Sequence, residues 1–249
     1  MQMWLDAGIW GLVSGSALVV GTIVAYVFRL PQRVIAAVMA FGSGVLISAL
    51  SFELMDEAYR TGGFLAAALG FLAGAGVYTG ANVVVSHHGA RNRKRSGNQQ
   101  RDAGRGGGMA IALGSLLDGI PESLIIGVSL LEGKGVNLVA VVAIFLSNIP
   151  EGLSSSAGMR KAGRSRTYVF GLWIGMALLL GVAAAVGNLA FAGSPPGVVA
   201  GTQAVAAGAI LAMLVDTMIP EAVEIAHDFA GLITVAGFLA AFALSKLGG

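Results

Sequence analysis

The residues best placed to do chemistry lie in two matching stretches. Asp118-Gly-Ile-Pro-Glu122 aligns with Ser147-Asn-Ile-Pro-Glu151 at an offset of 29 residues. Asp118 and Glu122 are spaced i, i+4, as are Ser147 and Glu151, so each pair shares one face of a helix. Both Ile-Pro-Glu triplets lie well inside apolar runs. An acidic residue at the centre of a membrane helix costs about 2.5–3.5 kcal/mol, so Asp118, Glu122 and Glu151 facing lipid would together cost on the order of 8–10 kcal/mol. They need a cavity, a cation or protons. Pro121 and Pro150 cannot donate to the carbonyls of Leu117 and Leu146. A carbonyl freed inside a membrane must find a donor, water or an ion. Two such helices facing each other would gather the oxygens of Asp118, Glu122, Ser147 and Glu151, and Asn148 adds an amide oxygen. Hard oxygen ligands of this kind suit a divalent cation.

The elements that must position these residues are membrane helices. The chain has 249 residues, of which 56% are hydrophobic and 11% charged. A soluble domain carries about 25% charged residues, so the solvent of this chain is largely lipid. Eight apolar stretches approach the roughly 20 residues that a span requires. They are Trp4–Phe28, Val34–Ala58, Gly62–Val85, Met109–Leu131, Val136–Gly158, Tyr168–Phe191, Val198–Ala222 and Phe229–Leu247. The first lacks a positive n-region and its apolar run is too long for a signal peptide, so it reads as a span. Residues 86–108 form a polar run rich in Arg, Asn, Gln and Gly, which predicts a disordered cytoplasmic loop. The expected organisation is a single transmembrane domain over residues 1–249. With no cysteine in the chain, disulfides and thiolate metal ligands are excluded.

Basic residues set the orientation. With the N-terminus outside, the inner loops hold Arg29, Arg33, Arg91, Arg93, Lys94, Arg95, Arg101, Arg105, Arg160, Lys161, Arg164 and Arg166. Only Arg60, Lys134 and Lys246 fall outside. The positive-inside rule then places both termini outside, and the basic clusters read as topology signals, with no nucleic-acid partner.

An internal repeat is also visible. Gly11 to Gly21 resembles Gly171 to Gly181, Gly44 to Ala58 matches Gly208 to Ala222 with Glu57 over Glu221, and Gly70-Phe-Leu-Ala73 recurs as Gly237-Phe-Leu-Ala240. The first three spans thus resemble the last three. An offset of five helices makes the two triplets cross in opposite senses, an inverted 3+2+3 arrangement of the kind found in secondary transporters. Asp216, inside the seventh span, and Glu53 are polar residues that could line a path. His87 and His88 open the long loop, and His227 reads as part of a solvated turn.

The fourth and fifth helices resemble those of the ZIP (Zrt/Irt-like protein) family of divalent metal transporters, whose pattern in both is approximately His-Asn-x-Pro-Glu-Gly. The matching residues are Pro121 and Glu122, then Asn148, Pro150, Glu151 and Gly152. Asp118 and Ser147 stand where the family has His, and Gly119 where it has Asn. The resemblance implies a metal site of Asp118, Glu122, Ser147 and Glu151 with Asn148, and transport of Zn, Fe or Mn toward the cytoplasm by alternating access. It implies no organic cofactor and no enzymatic activity. It also implies a homodimer in the cell (plasma or inner) membrane. The first, fourth, fifth and sixth helices would move against the others. Glu53, Asp56, Glu57, Asp216 and Glu221 are candidate pathway residues. The rival readings are an intramembrane enzyme using the buried carboxylates, and a ZIP-like protein with a different solute or with lost transport.

Overall fold

A computed structural model describes residues 2–28, 30–97, 107–133 and 135–247. The expectations attached to Arg29, Lys134, Arg101, Arg105 and the rest of residues 98–106 lie outside these. Among the described residues the regular structure is entirely helical. In chain order the α-helices are α1 (Met3–Val27), α2 (Gln32–Ala49), α3 (Asp56–His87), α4 (Gly107–Ser129), α5 (Leu138–Lys161), α6 (Arg166–Phe191), α7 (Pro196–Met213), α8 (Ile219–Ala226) and α9 (Ala230–Leu247). The helix starts follow local chemistry. The Asn137 side chain accepts a hydrogen bond from the Ala140 amide at 2.9 Å, Ser165 caps α6 through the Tyr168 amide, and Pro195-Pro196 opens α7. The Asn137 and Ser165 caps each satisfy an amide that would otherwise lack a partner.

Among the described residues, six continuous helical stretches are long and apolar enough to cross a membrane. Eight are expected from the sequence, and the difference has a physical origin. The polar punctuation at Arg60, Thr61 and Gly62 does not end the helix, which runs on to a break at Gly63 (φ 75°, ψ 173°). The second half of the chain breaks in the same way at His227 (φ 46°, ψ −121°). Two of the six stretches, Gln32–His87 and Pro196–Leu247, therefore each contain one sharp break. Large apolar side chains are exposed along α1, α3, α6 and α9, including Phe64, Leu69, Leu72, Leu178, Val182 and Leu239. Apolar surface of this extent suits a multi-pass membrane protein in contact with lipid.

The two halves of the chain share details beyond sequence. α2 continues into a π-helical turn at Leu50–Met55, and α7 into one at Leu214–Met218. Leu50 and Leu214, Gly44 and Gly208, and Gly63 and His227 are each 164 residues apart. α3 packs on α7 and α2 on α9, while α1 packs on α5 and α6, and α4 on α6. The exchange is reciprocal. A Cβ on Gly44 would meet the Thr234 carbonyl oxygen of α9, and one on Gly208 would meet the Phe71 carbonyl oxygen of α3, each at 1.9 Å. Small residues let these backbones touch, which is how membrane helices associate without a hydrophobic drive between them. α1, α4, α5 and α6 thus form one packing group, joined to α2, α3, α7, α8 and α9 where α5 meets α2 and α4 meets α7.

Candidate cation site

Pro121 and Pro150 are accommodated inside continuous helices α4 and α5. Asp118 lies about one turn before Pro121, Glu122 and Glu151 directly follow the two prolines, and all three acids are buried. Asp118 and Glu151 are brought together by a third party. The Lys94 ammonium lies 3.2 Å from Asp118 Oδ2 and 2.8 Å from Glu151 Oε2. These are ion pairs rather than aligned hydrogen bonds, so Lys94 acts as a point charge between two helices. Burial works against its charge, but Asp118 and Glu151 outweigh that penalty and raise its pKa above the usual lysine value.

Arg93 completes the arrangement. Its Nε donates to Asp118 Oδ2 at 2.8 Å and its Nη2 to Asp118 Oδ1 at 2.8 Å. This is the paired geometry in which a guanidinium binds a carboxylate most strongly. Tyr78 of α3 donates its hydroxyl to Asp118 Oδ1 at 2.6 Å and accepts from Arg93 Nη2. Glu122 is treated differently: its Oε2 is buried and has no hydrogen-bond partner among the described residues.

The other expected ligands turn elsewhere. Ser147 donates to the Ile144 carbonyl of its own helix, and Asn148 donates through Nδ2 to the Ser14 carbonyl of α1. Among the described residues, no three His, Asp or Glu side chains converge as a group that could hold a metal ion in this conformation. In this conformation Lys94 lies between the carboxylates of Asp118 and Glu151.

The pathway candidates scatter between the two ends of the molecule. Glu53 accepts from Asn137 Nδ2 at 3.0 Å and from Ser245 Oγ. With Asp56, Glu57 and Arg60 it lines a cavity of about 340 Å³. Asp56 pairs with Arg60 on the surface, and Glu57 accepts from Thr61. At the other end Asp216 is exposed and accepts from Asn82 Nδ2 at 2.9 Å. Glu221 is fully buried. It accepts from the Ser96 amide at 2.8 Å and from the Ser96 hydroxyl, and pairs with Arg95.

The segment predicted to be a disordered loop is thus partly corrected. From Ser86 through Gly97 it is folded, and Arg93 and Lys94 are among the most buried side chains of the molecule. Its polarity, which reads as solvation, is instead matched by buried carboxylates. Tyr78, Arg93, Lys94 and Ser96 are the site residues that sequence reasoning missed. A signal was available: the acids of α4, α5 and α8 need counter-charges, and the long basic run is the obvious supply.

No protein-family model matches the chain, and no curated protein matches it.

Proposed function

We propose that this chain moves a divalent metal ion across a membrane, through a site between α4 and α5. The observation that carries this reading is the cation held between Asp118 and Glu151, each from a different helix, with a Glu122 oxygen that has no partner among the described residues one turn along α4 from Asp118. Two buried carboxylates that hold one positive charge at 2.8 and 3.2 Å are suited to hold another. Zn, Fe or Mn is the expected cargo, with hard oxygen ligands favouring Mn²⁺ and Fe²⁺ at least as well as Zn²⁺.

The architecture supports alternating access. The stretches of 56 and 52 residues would each be on the order of 80 Å long as straight helices, against a hydrocarbon core of about 30 Å. Counting a span on each side of Gly63 and of His227 would give eight spans, in an inverted 3+2+3 order of the ZIP type. α1, α4, α5 and α6 pack mainly on one another and form the moving group. The expected setting is the cell membrane, with both ends of the chain outside and two copies associating.

One observation favours a second reading. Arg93 and Lys94 already neutralise Asp118 and Glu151, as they would in a ZIP-like protein that kept the fold and lost transport. Uptake of Mn²⁺, Fe²⁺, Zn²⁺, Co²⁺ and Cd²⁺ into proteoliposomes separates the two. Transport predicts saturable uptake that Glu122→Ala and Glu151→Ala abolish. A folded chain that takes up none of these ions would leave the second reading standing.

A further inference from the structure

Residues 89–97 enter the molecule as a short strap fastened to four helices. Gly89 stands at its start with φ 105°, a backbone region open chiefly to glycine. The Arg93 carbonyl accepts from Ser155 Oγ of α5. Its side chain lies against α4 where Gly114 leaves room: a Cβ on Gly114 would come within 2.4 Å of Arg93 Cδ. Lys94 reaches both α4 and α5. Arg95 and Ser96 then fasten the strap to Glu221 and Glu224 of α8. The strap therefore ties α4 and α5 to a helix of the other packing group.

What holds it is almost entirely polar. Ala90 is its one buried apolar side chain. Withdrawing the strap would expose little apolar side-chain surface of its own, and it would leave the buried carboxylates of Asp118, Glu151 and Glu221 in need of another cation or of water. We propose that residues 89–97 are a tethered plug, in which the Lys94 ammonium competes with the transported cation for the position between Asp118 and Glu151. The proposal rests on the transport reading and adds to it a regulation: cargo binds at this position only when Lys94 withdraws, and withdrawal frees α4 and α5 from α8. A plug seated nine-tenths of the time would weaken the apparent cargo affinity about tenfold.

The chain has four lysines, Lys94, Lys134, Lys161 and Lys246. Lys246 is exposed and serves as the internal reference. Full-length protein in detergent is treated with an amine-acylating reagent over a Mn²⁺ titration, and modification of each lysine is read by mass spectrometry. Mn²⁺ uptake by wild type and Lys94→Gln is measured in parallel. The expected result is slow modification of Lys94 relative to Lys246, accelerated saturably by Mn²⁺. Lys94→Gln should lower the Mn²⁺ concentration for half-maximal uptake about tenfold. Uptake by Lys94→Gln where wild type shows none would support the plug still more directly. Saturable wild-type uptake, with Lys94 modification indifferent to Mn²⁺ and Lys94→Gln unchanged, would overturn the plug and leave transport intact. Absence of uptake of any metal by both proteins would remove the transport reading and the competition with it.

Discussion

Glu57 and Glu221 occupy matching places in the two halves of the chain, yet their surroundings are opposite. Glu57 is half-buried, accepts from Thr61 of its own helix and borders a cavity. Glu221 is wholly buried and grips the Ser96 backbone and hydroxyl. Helix packing is shared between the halves, down to the carbonyl contacts of Gly44 and Gly208. The difference comes from residues 89–97, which lie between α3 and α4 and serve only one end. A repeated scaffold supplies equivalent acids at both ends, and an unrepeated strap buries only one of them.

The sharpest way to break this comparison is to remove the acid that carries the most charge contacts. Asp118→Ala leaves Arg93 and Lys94 buried without their shared partner, and losing one side of a buried pair costs about 3–5 kcal/mol. Asp56→Ala, which removes a surface partner of Arg60, should cost about 0–1 kcal/mol. Thermal unfolding of the purified variants in one detergent measures both, and equal losses would contradict the asymmetry. Next in size, Glu221→Ala should lose about 1.5–3 kcal/mol, the worth of hydrogen bonds to a charged group, with Glu57→Ala within about 0.5 kcal/mol of wild type. The same melts report it.

Two smaller effects sharpen the comparison from the packing side. Gly44→Ala and Gly208→Ala each force a methyl group against a carbonyl oxygen, and overpacking of this kind costs about 1–3 kcal/mol. The two losses should agree, because the contact recurs in both halves; a large mismatch would argue against equivalent packing. Smallest of all, Gly76→Ala on α3 meets nothing within 4 Å and should be neutral or stabilise by up to about 1 kcal/mol.

The helical character of the chain is legible because apolar length is a one-dimensional property. Met3–Val27 and Arg166–Phe191 fall within two residues of the spans read from sequence. The breaks are less legible. Arg60 and Thr61 read as a loop, but both remain helical, and the break falls at Gly63, where backbone geometry rather than polarity ends the helix. The carboxylates of the site stand out because a charge inside an apolar run is costly anywhere. Arg93 and Lys94 do not, since a cation within a polar run looks solvated until the carboxylates it meets are known. Ser147 and Asn148 show the converse: their spacing places them on the right helix, but spacing does not reveal that they donate to the backbone of Ile144 and Ser14.

The π-helical turns at Leu50–Met55 and Leu214–Met218 have an angular consequence. Each accommodates one surplus residue, and one residue corresponds to about 100° of rotation about a helix axis. Glu57 and Glu221 lie just beyond these turns. Deleting the surplus residue would swing each glutamate by more than a quarter of a circle, carrying Glu221 off the bearing on which it meets Ser96. The strap's anchor is thus aimed by a single residue's worth of phase, supplied several positions earlier in the chain.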